Sequence, residues 1–289
     1  MNWPKRFNAA LNFIEQNLQS QISTDDVARV ACCSRYHFHR VFVATFKISC
    51  AHYIRMRRLT LAAAEVIGTT QRISDIGGKY GFDSPNAFSR AFRRVHGVNP
   101  SAARAGTVHL RAFGRKTFPA GKDLGDTMDY SIVDVPSFNI LGKSKTFSFD
   151  EFVKDGPEYW KTYVKSDDYT KLIDDNASQP GAKTHAPMLT AYFPQEEKGS
   201  DAFIDVLGIE TAMSSHDSYE IYRVPSANYA EFHCTYKTSM KTNRYIYSSW
   251  FADTGYERDS KKPDIASYFP VPFRPLGEMR IRWWIPIRS

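Results

Sequence analysis

Two segments, Phe38-His39-Arg40-Val41-Phe42 and Phe88-Ser89-Arg90-Ala91-Phe92, repeat each other at an offset of 50 residues. In each, the aromatics lie four apart, the spacing of neighbours on one helical face, and the arginine falls between them on another. A chain duplicated in this way has to form two similar helical units, each burying its aromatic stripe. The flanking sequence agrees. Ser23-Thr24-Asp25-Asp26 starts a short helix, Cys32-Cys33-Ser34 breaks it, and Ser34 suits the N-cap of another. Ile73 to Tyr80 is again a short helix, followed by the turn Gly81-Phe82-Asp83 and by Ser84-Pro85, an N-cap with proline at the first helical position. Short helix, tight turn and second helix is helix-turn-helix spacing.

Between the copies, Ala51 to Ile67 forms an unbroken helix that carries Arg55, Arg57 and Arg58. It spans about 25 Å, somewhat short of the roughly 34 Å of one DNA turn. With helix packing at each end, it can hold two reading helices in successive major grooves, so that a monomer reads what a conventional helix-turn-helix protein reads as a dimer. Helical geometry then selects the reading residues. Tyr36, His39 and Arg40 lie opposite the core face of Phe38, Val41 and Phe42; Asn86, Arg90 and Arg93 lie opposite Phe88, Ala91 and Phe92. Arginine bonds bidentately to guanine and asparagine to adenine, which is base-reading chemistry. Arg35, Arg57, Arg58, Arg94 and Arg104 suit phosphate contacts that set register and bring salt dependence.

Charge supports this division. Met1 to Phe118 holds 18 Lys+Arg and 6 Asp+Glu, a balance of +12, whereas Pro119 to Ser289 holds 20 and 25, a balance of −5. A basic part joined to a mildly acidic one points to a polyanion partner for the first part alone, and double-stranded DNA is that partner. An anionic membrane surface fits less well, because these helices bury their aromatics between themselves.

The run Ile76-Gly77-Gly78-Lys79-Tyr80-Gly81-Phe82-Asp83-Ser84-Pro85-Asn86-Ala87-Phe88-Ser89-Arg90-Ala91-Phe92-Arg93-Arg94, continuing to Gly97-Val98-Asn99-Pro100, resembles the AraC/XylS family signature. The resemblance covers roughly residues 5 to 106 and implies an all-α DNA-binding domain of seven helices with two helix-turn-helix units. It departs from the family in two places. Cys32 replaces the usual glycine of the first turn, which is expected to tighten or shift that turn, and Gly77 replaces the usual small residue after the first Ile of the signature.

Beyond a linker at 107–122 the periodicity changes. Met128 to Val135, Ser218 to Val224, Tyr229 to Cys234 and Arg280 to Ile287 alternate like strands, while Glu151 to Val164 and Met240 to Phe251 are helical. Val135-Pro136-Ser137-Phe138-Asn139 returns as Val224-Pro225-Ser226-Ala227-Asn228, 89 residues later. The simplest reading is an α+β domain over 123–289 made of duplicated strand–helix–strand–strand units, with helices on a curved antiparallel sheet.

This second part resembles the gyrase-inhibitor-like effector domain, through Tyr229-Ala230-Glu231-Phe232, the run Ser249 to Tyr256, Asp264-Ile265-Ala266-Ser267-Tyr268-Phe269-Pro270 and Trp284-Ile285-Pro286-Ile287-Arg288. The resemblance implies an aromatic cleft for a small-molecule or protein effector. The cleft residues it suggests are Trp160, Tyr163, Glu231, Trp250, Tyr256, Tyr268 and one of Trp283 and Trp284, since neighbours on a strand face opposite ways. Ala266 stands where many such domains bear a glutamate. That leaves Glu231 or Glu220 as the acid that would receive a cationic ligand.

No nucleophile motif, phosphate-binding glycine loop or metal pattern occurs, and no cofactor, metal or catalytic residue is expected. His37 and His39 point apart on a helix, and His233 and Cys234 point apart on a strand. The four cysteines show no C-x-x-C spacing and read as reduced thiols; with no apolar signal core and no long apolar span, a cytoplasmic, nucleoid-associated bacterial protein is expected. The whole reads as a sequence-specific transcription regulator, an activator by resemblance, that contacts RNA polymerase and binds DNA as a monomer. The rival readings are a low-specificity nucleoid or origin-binding protein and a DNA-tethered hydrolase.

Overall fold

The computed structural model describes residues 3–106, 110–118, 128–176, 183–195, 202–270 and 275–288. The chain divides into two units, Met1–Arg35 with Ile48–Ala120 and Tyr36–Lys47 with Gly121–Ser289. The division differs from the expected one, because the helix α3 (Arg35–Phe46) falls almost wholly in the second unit. Residues 107–109 and 119–127, which include much of the expected linker and the expected start of the second domain, lie outside the described residues.

The first unit is helical: α1 (Trp3–Gln16) and α2 (Thr24–Val30), then, beyond α3, α4 (Cys50–Gly68), α5 (Ile73–Lys79), α6 (Pro85–His96) and α7 (Pro100–Ala105). Their starts follow from local chemistry. Ser23 and Asp26 form a reciprocal capping box, the Ser49 hydroxyl accepts the His52 amide, and the Ser84 hydroxyl accepts the Ala87 amide just ahead of Pro85. Leu59, Ala62 and Val66 of α4 meet Ile76, Phe88, Phe92 and Ala103 in one core cluster. A side chain at Gly77 would come within 3.0 Å of the Phe88 ring, so the missing Cβ is what lets α5 lie against α6.

The turns after α2 and α5 are the same structure. The Cys33 amide donates to the Ala28 carbonyl at 3.1 Å and the Cys32 amide to Arg29 at 3.0 Å; the Phe82 amide donates to Gly77 at 3.1 Å and the Gly81 amide to Gly78 at 3.0 Å. Each is a Schellman closure, which requires a left-handed residue just past the cap. Cys32 fills that place at φ 52 and Gly81 at φ 75. Cys32 therefore takes up the conformation of the glycine it replaces, and the turn is not shifted.

Residues 110–118 run without regular structure along the helical unit. The Asn8 side chain pairs with both backbone groups of Phe118, and the Thr60 hydroxyl accepts the Phe113 amide.

The second unit contains β1 (Tyr130–Val135), β2 (Phe138–Ser148), α8 (Phe149–Tyr163), α9 (Asp167–Asn176), β3 (Met188–Pro194) and β4 (Ala202–Thr211). Then come β5 (Glu220–Val224), β6 (Ala227–Thr235), α10 (Ser239–Tyr245), a π-helical turn at Ile246–Trp250, α11 (Phe251–Thr254), β7 (Glu257–Arg258), β8 (Asp264–Phe269) and β9 (Arg280–Arg288). The strands form one antiparallel sheet in the order β1-β6-β9-β8-β3-β4-β2-β5, with β7 paired to β9. This order is a palindrome of two halves: β2, β4 and β3 mirror β6, β9 and β8, and each half donates its first strand to the other. The strand–helix–strand–strand duplication expected from the Val-Pro-Ser echo is thus present.

The echo also explains the curvature. Pro136-Ser137 joins β1, at one end of the strand order, to β2 near the other end, and Pro225-Ser226 does the same for β5 and β6. Connections this short require the sheet to curl until its ends are neighbours. Val135, Ile140, Ala191, Val206, Val224, Tyr229, Ile265 and Trp284, one from each strand except β7, accordingly share a single cluster on the inside of the curl.

Left-handed backbone costs a non-glycine residue roughly 1–2 kcal/mol, offset in part by the extra freedom glycine has when unfolded. Cys32→Gly is therefore expected to stabilise the helical unit by about 1 kcal/mol, read as a higher urea midpoint with an unchanged slope.

Candidate nucleic-acid interface and effector cleft

The second reading helix stands as the sequence suggests. Asn86, Arg90, Arg93 and Arg94 are all exposed along α6, while Phe88, Ala91 and Phe92 are buried. The helix is closed at its far end by Gly97 at φ 81. Its outward face is a row of one amide and three guanidinium groups, able to reach base edges and phosphates.

Most of the other expected phosphate contacts are engaged inside the fold. Arg57 clasps Glu15 with Nε at 3.0 Å and Nη2 at 2.9 Å and reaches the Phe113 carbonyl at 2.5 Å, while the Tyr53 hydroxyl donates to the same Glu15 at 2.6 Å. Burial alone would raise the Glu15 carboxyl; the bonds from Arg57 and Tyr53 outweigh it and hold the group below the usual carboxylate range. Arg58 donates to the carbonyls of Leu18 and Ser20, Arg104 to that of Val66, and Arg35 pairs with Asp25 at 3.3 Å. Helical spacing shows that an arginine leaves the core face of its own helix. It does not show that another helix end or a strap of chain waits there.

The first reading helix departs furthest from expectation. Tyr36, His39 and Arg40, expected to point outward, have relative exposures of 6%, 0% and 9%. They lie within the strand-rich unit, on the face of the sheet opposite the curled core. There the Arg40 guanidinium lies over the rings of Tyr192 (5.2 Å) and Tyr247 (4.9 Å), and its Nε is 3.4 Å from Asp264 Oδ2. His39 stacks on Phe149 at 4.6 Å and 9°, and Tyr36 meets Phe149 and Phe203 edge-on or tilted.

Asp264 organises this cleft. Arg258 donates to its Oδ1 from Nε at 2.9 Å, the Tyr247 hydroxyl donates to Oδ2, and the Tyr36 hydroxyl lies 3.4 Å from Oδ2. Arg258 is itself fixed by the carbonyls of Asp259 and Lys262 and lies under the Tyr36 ring at 4.6 Å. Burial, reinforced by the Asp264 charge, raises the hydroxyl pKa of Tyr36 and of Tyr247, so both stay protonated donors. A second carboxylate, Asp205 on β4, accepts the Trp160 indole N–H at 2.6 Å. Its burial pushes the carboxyl up to about 7, against the pull of that bond and of the Arg40 charge.

Strand register decides which expected cleft residues belong here. Ala266 pairs across to Thr190 and Trp283, and Asp264 to Tyr192, so Asp264, Ala266, Tyr268, Tyr192 and Trp283 share the cleft face. Trp283 stacks on Tyr192 at 6.1 Å and 18°. Trp284 faces the curled core, where its indole N–H donates to Glu231 at 2.7 Å; the cleft tryptophan of this pair is therefore Trp283, and Glu231 leaves the cleft with Trp284. Bonds from Trp284 and His233 hold Glu231 below the usual carboxylate range despite its burial. Trp160 and Tyr268 do line the cleft, the latter's hydroxyl pushed up to about 12 by burial. Tyr163 lies further along α8 against Tyr169, and Trp250 is fully buried, stacked on Tyr256 at 5.5 Å and 10° and edge-on to Phe232. Trp250 and Tyr256 thus form a closed cluster beside β1 and β6.

Glu220 is exposed on the edge strand β5. Neither acid expected to stand in for the glutamate absent at Ala266 faces the cleft, and Asp264 and Asp205 supply the carboxylates instead. Asp264 was within reach of the sequence, since it sits two residues before Ala266 and so on the same strand face. Asp205 gave only the weaker sign of an acid inside an apolar strand. Among the described residues, no group of three His, Cys, Asp or Glu side chains is placed to hold a metal ion, and no helix is long and apolar enough to cross a membrane.

Likeness to known proteins falls in two parts. The Helix-turn-helix domain family matches residues 27–106, and the Integron-associated effector binding protein family matches residues 131–287. The chain is 41% identical over 104 residues to the uncharacterized HTH-type transcriptional regulator YbfP of Bacillus subtilis, covering 36% of this chain and 35% of that one. It is 37% identical over 94 residues to the HTH-type transcriptional activator AarP of Providencia stuartii, covering 32% of this chain and 70% of AarP. With the transcriptional regulator Rob of Salmonella typhimurium it shares 30% identity over 138 residues, 48% of this chain and 47% of Rob. The matches span about a third of YbfP and about half of Rob.

Three substitutions test the site's electrostatics. Asp205 is harder to ionise folded than unfolded, so its contribution to stability is full below pH about 4 and is lost as pH rises through about 7. Asp205→Asn is expected to gain stability relative to the parent by about 2 kcal/mol more at pH 8 than at pH 5, followed in urea by tryptophan fluorescence. Arg57→Ala strands a largely buried Glu15 and is expected to destabilise the free protein by about 2–3 kcal/mol. Arg94→Ala, on an exposed face, should leave the melting temperature unchanged and weaken DNA binding.

Proposed function

For this chain, which belongs to the AraC/XylS family of helix-turn-helix regulators and carries an effector-binding domain of the integron-associated kind, we propose sequence-specific control of transcription through α6 and its counterpart α3. The observation that carries the reading is α6 itself: a capped helix with its aromatics buried and Asn86, Arg90 and Arg93 exposed in line. A helix of this kind fits the major groove, where arginine reads guanine and asparagine reads adenine. Arg94 and the exposed Arg55 on α4 add phosphate contacts.

The strand-rich unit supplies regulation. Its cleft, lined by Tyr192, Trp160, Tyr268 and Trp283 around Asp264 and Asp205, combines aromatic walls with a few carboxyl groups, the make-up of a small-molecule site. In this reading the protein works in the cytosol and contacts RNA polymerase at the promoter, and it acts as an activator, the role that the name of its relative AarP carries. Chemical turnover has no role in the mechanism.

Competition binding separates this reading from low-specificity DNA packaging: a regulator should prefer its selected duplex by about 10³-fold or more over random DNA at physiological salt. Arg90→Ala is expected to cost about 1–3 kcal/mol and to relax preference at one base position. A uniform loss across all sequences would reassign Arg90 to the phosphates.

A further inference from the structure

Arg40 and Arg90 occupy the same place in the duplicated motif, 50 residues apart, yet one is buried and the other exposed. The buried copy sits in the cleft that the preceding section assigns to the effector. Its guanidinium takes the position of a bound cation there, between the rings of Tyr192 and Tyr247 and 3.4 Å from Asp264. Tyr36 and His39 enter beside it, against Phe149 and Phe203. His37, from the same helix, packs edge-on against Phe251 at 5.0 Å. The three α3 residues expected to read bases, Tyr36, His39 and Arg40, are thus held away from any base edge.

We propose that α3 is an intramolecular occupant of this cleft, and that its withdrawal is the step that makes the first reading helix available to DNA. The inference rests on the regulatory reading above and adds its mechanism: cleft and DNA compete for the same side chains. The seat is good enough to hold the helix and imperfect enough to release it. Arg40 Nη2 is buried without a hydrogen-bond acceptor, and Asp205 Oδ1 is buried without a donor. A ligand that satisfies Asp205 and Asp264 better than Arg40 does would empty the cleft of α3. A buried pair of this kind gains little net stability over its separated, hydrated groups, so a modest difference can tip it.

The test uses the full chain and two changes that weaken the seat from opposite sides. Asp264→Asn removes the charge facing Arg40, and His37→Ala removes a ring contact from a residue outside the reading set. Amide hydrogen exchange over Tyr36–Lys47 is measured without DNA, and affinity is measured for a duplex selected from a random library. Either change should speed exchange in α3 and tighten DNA binding by about fivefold to tenfold, because the reading-competent fraction rises by the same factor. Arg90→Ala should weaken binding in every background. If α3 exchanges faster but affinity stays level or falls, the inference is overturned, and the loss on Arg90→Ala leaves the DNA-binding reading standing. If neither change loosens α3, the cleft is not what holds it, and the inference falls equally. Absence of duplex binding by every variant and the parent overturns the DNA-binding reading and this inference with it.

Discussion

The carboxylate of Asp264 has no exposure, and a buried charge of this kind persists only where its neighbours neutralise and hydrogen-bond it. Arg258, Tyr247 and Tyr36 do so, with Arg40 at ion-pair distance. Those four come from β7, the π-helical turn and α3, so one carboxylate on β8 gathers three elements that share no backbone hydrogen bonds with that strand. The aromatic walls follow from the same need. Tyrosine rings tolerate a low-dielectric setting while their hydroxyls donate to the charge, and their faces receive the guanidinium groups.

Duplication runs through both units, with opposite results. In the strand-rich unit the two copies stay symmetric: the halves exchange their first strands, and the Val-Pro-Ser turns sit at the crossing points. Exchange ties the ends of the sheet together and forces it to curl, which yields an apolar inner face and an outer face left for helices and the cleft. In the helix-turn-helix copies the turns remain alike to the hydrogen bond, down to Cys32 in the left-handed place of Gly81. The helices after those turns part company. α6 keeps its polar face exposed, whereas α3 buries the equivalent face.

Much of this was legible locally. Capping serines, the proline at the start of α6, the aromatic pairs four apart and the strand alternation all act within a few residues, so the sequence displays them directly. The pairing of Trp283 and Trp284 shows the limit. Alternation says that one faces the cleft and the other does not, but only the register of β9 against β8 says which. Arg57 and Arg58 show another: both leave the core face of α4, and what they meet, Glu15 and the carbonyls of Leu18 and Ser20, comes from α1 and the chain that follows it.

By itself, then, the sequence determined the paired helix-turn-helix motifs, the duplicated sheet and the family, because repeats, caps and periodicity are short-range and cumulative. Tertiary structure decided where charge ends up. A buried carboxylate acts across space on whatever the fold brings within a few ångströms, and no spacing rule encodes that neighbourhood. For that reason Asp264 and Asp205, rather than Glu231, supply the carboxyl groups of the cleft, and Arg40 lies among tyrosines while Arg90 faces outward.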